Sequence, residues 1–380
     1  MKVHADVLIV GAGVMGLSLA WALAKRGRRV VCFDRAEPGR EASAATAGTL
    51  AVQNKPLASI PLTLLSLRMW GELKAELGQS VEFEVRGGIR IAESVDDDQR
   101  LRRSAAAQAE AGAPIEMLTK SEIASIAPYL SHRVEAASFC PLDAMSNPFL
   151  TVRALLGRCK DAGVAFLFGR EVSDISIGAG GSATLVAGEI VANADAIVIA
   201  AGAWIPRLAS CVGISLPITT KVQQVLITDI GACRVPHVVT HVRGNLTLKQ
   251  QSVSGKVLVG GGWAGDGDSD TGSRRLLRES IIGNARAAVN AVPGLASARF
   301  LRGWTGFEGR TPDKLPIIGA LPGMRNLHVL GCASGGFTLS PAAGEVLAQQ
   351  LCGEPLSVDL APFSPARFLV GPTHEPAPLR

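Results

Sequence analysis

The first 34 residues place the strongest constraint on how this chain can fold, because two short apolar runs flank a glycine-rich turn and a helix. The first run ends at Val10, and the second ends on an acidic residue, Asp34. This strand–turn–helix–strand order is the nucleotide-binding unit of doubly wound folds. The turn carries glycines at the three positions that such a unit needs, namely Gly11, Gly13 and Gly16.

Each of these glycines has its own physical purpose. Gly11 permits a tight turn, Gly13 lets the backbone approach a pyrophosphate, and Gly16 lets the helix pack closely on the strand. The first N–H groups of the helix that follows the turn have no partner within the helix and can bind phosphate oxygens. A carboxylate at the end of the second strand accepts hydrogen bonds from ribose hydroxyls. The sequence therefore predicts a dinucleotide site.

Composition narrows the remaining possibilities. The chain has 380 residues, 47% of them hydrophobic, which is enough for two domains. No apolar run approaches the roughly 20 residues of a membrane-spanning helix. Because the first strand is predicted to begin near residue 5, we expect no signal peptide. The seven cysteines are scattered without a C-x-x-C pair, so we expect a cytoplasmic protein with reduced cysteines and no metal site. The net charge of +5 forms no basic tract, so nucleic-acid binding is not expected.

The order of apolar patterns predicts two domains that the chain crosses several times. Nucleotide-type segments occur at the start, middle and end, and residues 216–262 have the pattern of a meandering antiparallel sheet. Late helices are expected near Gly272–Val292 and over Pro341–Cys352. The predicted fold class is α/β, with a doubly wound, Rossmann-like domain interleaved with an α+β substrate domain built on an antiparallel sheet. The nucleotide domain is expected over 1–78, 146–214 and 312–365, the substrate domain over 79–145 and 215–311, and a loosely packed tail over 366–380.

Three further segments stand beside the amino-terminal glycine unit. They are SAATAGTL at Ser43–Leu50, Asn147-Pro148 with VIAAGAW at Val198–Trp204, and TPDKLPIIG at Thr311–Gly319 continued by GCASGGFTLSP at Gly331–Pro341. Together the four segments resemble the D-amino-acid oxidase and glycine oxidase superfamily of FAD-dependent amine oxidoreductases. A nicotinamide enzyme would need only the first of them, and the late glycine-rich turn before a helix is a flavin-family feature. The resemblance therefore implies FAD and not NAD.

The same resemblance implies which residues contact FAD. Small side chains after Asp34 let the backbone approach a large planar ligand, and the amino end of the last helix would stabilise negative charge on the reduced ring. Some sarcosine oxidases attach FAD through a cysteine shortly before the T-x-D segment, but GWTGFEGR at Gly303–Arg310 contains none, so non-covalent FAD is expected. The implied residues are Gly11, Gly13, Val14, Met15, Gly16, Asp34, Arg35, Ser43, Ala44, Thr46, Ala47, Gly48, Thr49, Leu50, Val172, Ala201, Gly202, Trp204, Gly306, Gly331, Ser334, Gly335, Gly336, Phe337 and Thr338.

The substrate region departs from the glycine oxidase pattern. Relatives of that type place an arginine for the substrate carboxylate where Glu308 stands when the sequences are aligned on Thr311. A carboxylate repels a carboxylate. Either Arg310 takes over the bidentate contact, or the substrate presents a cationic group to Glu308. A salt bridge between Glu308 and Arg310 is the structural alternative.

A narrower resemblance concerns flavin β-subunits of heteromeric dehydrogenases that act on opines, hydroxyproline or proline-like imino acids. It draws attention to the polar residues Gln53, His241 and Lys249, and it implies partner subunits that carry electron acceptors. Together with Arg310 and Glu308, His241 is a predicted substrate-positioning residue. The matching stretches are AGTLAVQNK at Ala47–Lys55, HVRGNLTLKQ at His241–Gln250 and VGGGW at Val259–Trp263.

The expected activity is the oxidation of the C–N bond of an amino acid, imino acid or opine. Hydride passes to the flavin, and the resulting imine is hydrolysed. The chain is expected to be the flavin subunit of a heteromeric dehydrogenase. Two alternatives are a self-sufficient glycine or D-amino-acid oxidase that produces peroxide, and a non-catalytic dinucleotide-binding subunit.

Overall fold

The computed structural model describes residues 2–178, 182–229 and 233–368, which form two large sheets and the helices that cover them. The strands are β1 (Lys2–Val10), β2 (Val30–Asp34), β3 (Thr49–Leu50), β4 (Glu84–Val85), β5 (Gly88–Ala92), β6 (Glu116–Leu118), β7 (Ala136–Cys140), β8 (Ala144–Met145), β9 (Ala165–Phe168), β10 (Asp174–Ile177), β11 (Ala183–Ala187), β12 (Ile190–Ile199), β13 (Thr219–Thr228), β14 (Val238–His241), β15 (Thr247–Gln250), β16 (Val257–Gly260), β17 (Asp266–Asp268), β18 (Ser273–Arg275), β19 (Phe300–Arg310), β20 (Ile317–Leu321) and β21 (Met324–Gly331). The helices are α1 (Val14–Lys25), α2 (Ala42–Ala45), α3 (Ile60–Glu76), α4 (Val95–Glu110), α5 (Lys120–Ile126), α6 (Pro148–Asp161), α7 (Ile205–Ser210), α8 (Arg278–Ala291) and α9 (Gly336–Cys352).

The first sheet has a parallel centre in which β1 lies between β2 and β12. Strand β9 pairs in parallel with β2, and β21 pairs in parallel with the carboxyl half of β12, whose amino half pairs with the antiparallel strand β11. Both faces of β1 are buried: Ile9 packs into the core beneath α1, α3, α6 and α9, and Leu8 packs into the core on the opposite face. This two-sided burial explains the continuous apolar run, and it places the carboxyl ends of the parallel strands at one edge.

The second sheet has the order β19-β13-β16-β15-β14-β5-β7-β6 and is antiparallel except between β14 and β5. Residues of α8, including Ala288, pack in the core that covers one of its faces. The other face meets the first domain, where Trp304 Nε1 on β19 donates a hydrogen bond to Ala44 O in α2 at 3.1 Å. Because residues two apart share a face of a strand, Glu308 lies on the same side of β19 as Trp304.

The predicted fold class is confirmed, because a doubly wound sheet and an antiparallel sheet are both present. Strands of the first sheet come from 2–34, 165–199 and 317–331, and strands of the second come from 88–140 and 219–310. The domain boundaries stay a proposal. Of the predicted tail, Arg367 donates to Asp313 Oδ2 at 2.8 Å and to Pro316 O at 3.0 Å, and residues 369–380 lie outside the described part of the chain. None of the helices described has the length and apolarity that a membrane span requires.

The last helix begins five residues earlier than the sequence predicts, with Pro341 inside α9. A proline cannot donate to the carbonyl four residues before it, which here belongs to Phe337. Ser340 Oγ donates to Phe337 O at 3.0 Å, and Trp70 Nε1 from α3 donates to Thr338 O at 3.0 Å. Side chains therefore replace the bonds that the proline disturbs. The predicted helix near 272–292 is shorter than expected, because residues 273–275 form β18 before α8 begins.

Candidate functional site

A cavity opens at the carboxyl ends of β1, β2 and β12, where the first sheet meets β19. Its empty volume, including space open to solvent, is about 1410 Å³. The predicted cofactor residues that line it are Gly11, Gly13, Val14, Met15, Asp34, Arg35, Ser43, Thr46, Thr49, Val172, Ala201, Gly202, Trp204, Gly331, Gly335, Gly336 and Phe337. The predicted residues that lie outside this lining are Gly16, Ala44, Ala47, Gly48, Leu50, Gly306, Ser334 and Thr338.

The glycine turn forms one wall of the cavity, and its three glycines are required for different reasons. Gly11 has a φ of +116°, and a Cβ added there would lie 2.5 Å from Ala200 O at the end of β12. A Cβ on Gly16 would collide with the carbonyl oxygen of Gly11. Gly13 has an ordinary φ of −71°, and the nearest atom to an added Cβ is Ser43 Oγ at 3.3 Å. Gly13 therefore leaves open space above the first N–H groups of α1.

The carboxylate of Asp34 is held at the cavity by two backbone donors. The Ala12 N–H donates to Oδ2 at 2.7 Å, and the Ala36 N–H donates to Oδ1 at 2.9 Å. Burial raises the pKa of Asp34, while these two hydrogen bonds lower it. Ser43 Oγ accepts from the N–H of Val14, the first residue of α1, at 2.9 Å. Each carboxylate oxygen keeps acceptor capacity for a ribose hydroxyl.

The amino end of α9 forms the opposite wall. Gly335 precedes it with a φ of +73°, and Thr338 Oγ1 donates to Thr49 O at 3.1 Å, which ties α9 to β3. Cys332 lines the same wall with a φ of +56°; its Sγ donates to Gly202 O at 3.2 Å, and burial raises the pKa of its thiol. Two helix amino ends therefore border one cavity, and each favours negative charge.

The hairpin formed by β17 and β18 contacts two residues of the cavity lining, Trp204 and Glu41. The Arg35 guanidinium lies 3.8 Å from the centre of the Trp204 ring, and Trp204 Nε1 donates to Ser269 O in the hairpin at 3.1 Å. Arg274 of the same hairpin forms an ion pair with Glu41, which lines the cavity. Trp204 therefore connects the cavity wall to this hairpin.

Glu308 and Arg310 form the salt bridge that the sequence leaves as the structural alternative. Arg310 Nε donates to Glu308 Oε2 at 2.6 Å, and Gln223 Nε2 donates to the same oxygen at 2.5 Å. The Glu308 side chain is 16% exposed and the Arg310 side chain is 31% exposed, so the pair is partly buried. Glu308 lines the cavity, whereas Arg310 lies outside the lining. The structure therefore brings Glu308 to the cavity and leaves Arg310 outside its lining.

His241 does not reach the cavity. It lies on β14 and is 3% exposed; its Nδ1 accepts from the Arg243 N–H at 3.1 Å, and its Nε2 lies 3.5 Å from a Glu93 oxygen. Burial lowers the pKa of His241. Three strands separate β14 from β19, which corresponds to about 19 Å across the sheet. The structure therefore gives no support to the predicted substrate-positioning role of His241.

Gln53 and Lys249 are buried between the two sheets. Gln53 Nε2 donates to Gly88 O at 2.8 Å, and its Oε1 accepts from Ser138 Oγ at 2.6 Å. Lys249 Nζ donates to Ser146 O at 3.4 Å, and burial lowers the pKa of this lysine to about 7. Gln53 therefore joins a loop to the second sheet.

Within residues 2–178, 182–229 and 233–368, no three His, Cys, Asp or Glu side chains are grouped to hold a metal ion.

The sequence did not indicate two buried charged residues, Lys55 beside the cavity wall and Asp143 beside Val52. Lys55 Nζ donates to Ser334 O at 3.2 Å and to Gly335 O at 3.1 Å. Asp143 Oδ1 accepts from the Val52 N–H at 2.7 Å, and burial raises the pKa of Asp143 to about 6. A signal for Lys55 was present, since it is the lone charged residue between Glu41 and Arg68.

The site as a whole defines a dinucleotide-binding protein of the doubly wound class. The side-chain-free position at Gly13, the held carboxylate of Asp34 and the second helix end at α9 fit an extended dinucleotide with its ring system at the far wall. A match to the family described as DAO, FAD dependent oxidoreductase, covers residues 6–350, and the chain belongs to this family. The predicted family, the FAD cofactor and the enzyme class are thereby confirmed.

Individual relatives cover nearly the whole chain. A glycine oxidase from Geobacillus kaustophilus (strain HTA426) is 31% identical over 374 residues, which are 96% of this chain and 97% of that protein. An opine oxidase subunit from Rhizobium meliloti is 27% identical over 376 residues, with coverage of 96% and 97%. The crystal structure of glycine oxidase from Geobacillus kaustophilus has a TM-score of 0.88 at 29% identity, covering 95% of this chain and 98% of that one. The crystal structure of L-proline dehydrogenase from P. horikoshii shares the fold, with a TM-score of 0.88 at 24% identity and coverage of 97% and 99%.

Proposed function

We propose that this chain oxidises the C–N bond of an amino acid, imino acid or opine as the flavin subunit of a heteromeric dehydrogenase. The proposed substrate class rests on one observation, the presence of Glu308 on the cavity wall. Glycine oxidase-like relatives are expected to have an arginine at this position. A carboxylate there attracts a substrate ammonium instead of a substrate carboxylate. When bound, FAD supplies the two-electron acceptor for the C–H bond next to the nitrogen.

Glu308 is held in one orientation by its neighbours. Gln223 and Arg310 both donate to Oε2, which leaves Oε1 to accept a hydrogen bond from the substrate nitrogen. Oxidation of a C–N bond requires a neutral nitrogen, and in this proposal Oε1 takes one proton from the ammonium. In this proposal Glu308 contacts the substrate, and Arg310 is a positioning residue that acts through Glu308.

The subunit role rests on relatives and on exposed surface. The opine oxidase relative from Rhizobium meliloti is a subunit by name and matches this chain over nearly its whole length. Strand β19 is an edge of the second sheet, and its residues Phe300 and Leu301 are about half exposed. An exposed apolar edge strand supports contact with a partner chain. The cytoplasmic location expected from the scattered cysteines stays a prediction.

An anaerobic titration of the purified flavoprotein tests the proposed activity. Opines, proline-like imino acids, D-amino acids and glycine are added separately, and loss of the visible flavin absorbance is followed. The proposal predicts bleaching by an opine or imino acid, slow recovery in air and little peroxide. Co-purification from the native host followed by mass determination tests for partner subunits. A solitary chain that turns over with oxygen and releases one peroxide per product would contradict the subunit role.

A self-sufficient glycine or D-amino-acid oxidase is the second candidate. The 31% identity to a glycine oxidase over 96% of this chain favours it. In the same titration this candidate predicts bleaching by glycine or a D-amino acid, with rapid recovery in air and stoichiometric peroxide. Membership in a family of FAD-dependent oxidoreductases disfavours the third alternative, a non-catalytic subunit.

A further inference from the structure

We propose that Lys55 is a positioning residue of the FAD site, whose ammonium fixes the Ser334–Gly335 turn before α9 and adds a positive charge behind this wall of the cavity. The proposal rests on FAD binding and is independent of the substrate. It concerns how the protein sets the reduction equilibrium of the bound flavin.

The ammonium of Lys55 lies directly behind the cavity wall. The residue is 5% exposed, and its Nζ donates to Ser334 O at 3.2 Å and to Gly335 O at 3.1 Å. Gly335 lines the cavity, and a Cβ added to it would collide with this Nζ. The lysine backbone is fixed as well, since its N–H donates to Val52 O at 3.0 Å and its carbonyl accepts from Gln108 Nε2 at 2.8 Å. The side chain is therefore held at the turn from which α9 begins.

The charge of Lys55 has no direct counterion in the part of the chain that the structure describes. No carboxylate there forms an ion pair with Nζ, although Glu308 and Asp143 act on it from a longer distance. Burial lowers the pKa of Lys55, the two carboxylates partly oppose this effect, and the resulting pKa is about 8. The ammonium form therefore predominates at neutral pH. A buried ammonium that is satisfied only by carbonyl oxygens is costly. Negative charge on the cavity side of the turn would offset that cost.

Reduction of the flavin supplies such a charge. The amino end of α9 borders the cavity beside Gly335, and a helix amino end contributes about half an elementary charge. Lys55 adds a full charge at the same wall, in a buried place where charges are poorly screened. A cation near a flavin stabilises its reduced form relative to its oxidised form, which raises the reduction potential. Removal of the ammonium is therefore expected to make the bound flavin harder to reduce.

The test measures the equilibrium constant for two-electron reduction of the bound flavin against a dye of known potential, with no substrate present. Lys55→Met removes the ammonium and keeps an unbranched side chain that is one atom shorter. We expect at least about a ten-fold fall in this constant, which equals about 30 mV for two electrons. Lys55→Arg keeps the charge and is expected to retain most of the wild-type constant. Lys160→Met is the matched control, because it removes one exposed positive charge at the end of α6.

Lys55→Gln separates charge from hydrogen bonding, because its amide can still donate to a turn carbonyl. A fall in the constant for both Met and Gln variants, with recovery in the Arg variant, supports the proposal. If the Met variant loses FAD during purification, the Gln variant decides the question. An unchanged constant in an FAD-loaded Met or Gln variant overturns the proposal, as does an equal fall in the Arg and Met variants. Because no substrate is used, failure here is distinguishable from failure of the proposed function.

Discussion

Replacement of Gly13 by valine is expected to abolish FAD binding without unfolding the protein. The backbone at Gly13 has a φ of −71°, which any residue can adopt, and the nearest atom to an added Cβ is Ser43 Oγ at 3.3 Å. A short shift of the serine side chain accommodates the new carbon. Gly11 differs, since its φ is +116° and an added Cβ would lie 2.5 Å from the carbonyl oxygen of Ala200.

The size of the effect follows from the N–H groups that the new side chain covers. At Gly13, valine fills the space above the first turn of α1, whose N–H groups have no partner within the helix. Each hydrogen bond to a charged oxygen contributes about 1.5–3 kcal/mol. The loss of two such bonds to the pyrophosphate weakens FAD binding by about 3–6 kcal/mol, or about 100- to 10,000-fold.

Fluorescence titration of the apoprotein with FAD measures this loss, and thermal unfolding of the same apoprotein checks the fold. Gly157→Val is the matched control, because nothing lies within 4 Å of a Cβ added at this position in α6. The expected result is a large loss of affinity in Gly13→Val, an unfolding temperature close to that of wild-type apoprotein, and normal FAD binding in the control. A Gly13→Val protein that purifies with one FAD per chain would refute this account of the glycine turn.

Four further predictions follow from the described contacts. Glu308→Gln is expected to slow substrate bleaching by about 100-fold at unchanged FAD content, since proton transfer contributes about 10²–10⁴-fold; stopped-flow absorbance measures it. Arg310→Ala is expected to have a smaller effect in the same assay, because a partly exposed ion pair contributes about 1 kcal/mol or less. Acid precipitation is expected to release all of the yellow colour as FAD, because the GWTGFEGR stretch has no cysteine. Burial lowers the pKa of His328 from 6.5 to about 4. The contribution of the neutral imidazole to the free energy of unfolding is therefore fully present above pH 6.5 and is lost as the pH falls towards 4, and the loss reaches about 3 kcal/mol. Urea unfolding of His328→Gln is expected to show a flatter pH dependence than that of the wild-type protein.

Each of these predictions has an opposite outcome. Unchanged bleaching in Glu308→Gln would show that Glu308 does not contact the substrate. A larger effect of Arg310→Ala than of Glu308→Gln would indicate that Arg310 binds the substrate carboxylate. Colour retained in the acid pellet would show a covalent flavin. An identical pH dependence in the wild-type and His328→Gln proteins would assign acid destabilisation to other groups.

The FAD half of the site could be predicted from the sequence because local geometry encodes it. Gly11, Gly13, Gly16 and Asp34 belong to one strand–turn–helix–strand unit, and their positions follow once the two strands pair in register. The later residues of the cavity lining, such as Gly335, required the resemblance to a family, since Gly335 lies about 300 residues from Asp34 in sequence.

The substrate half depends on pairing between distant strands, which no local pattern specifies. Gln223 meets Glu308 through the pairing of β13 with β19, across 85 residues of sequence. His241 shows the limit of prediction from local sequence. A polar residue on a strand has the same sequence pattern whether its side chain lines a cavity or is buried against other residues. The contacts of Lys55 could not be predicted for a related reason: its partners are the backbone carbonyls of Ser334 and Gly335, which no side-chain pattern specifies.

The early start of α9 shows how tertiary contacts override a local rule. Pro341 normally marks the beginning of a helix, and the sequence pattern predicts the start there. Trp70 and Ser66 of α3 donate to Thr338 O across 268 and 272 residues of sequence, and these donors make the proline tolerable inside the helix. The consequence is functional, because the amino end of α9 reaches the cavity only if the helix begins at Gly336.

The most direct test of the central claim is the visible spectrum of the purified protein, recorded without oxygen before and after addition of amine substrates. The account predicts flavin absorbance that an opine, an imino acid or an amino acid bleaches, with a keto acid or aldehyde and the free amine recovered after hydrolysis. A colourless protein that does not take up FAD would contradict the cofactor assignment. Bleaching by hydroxy compounds, with no response to any amine, would contradict oxidation at a C–N bond.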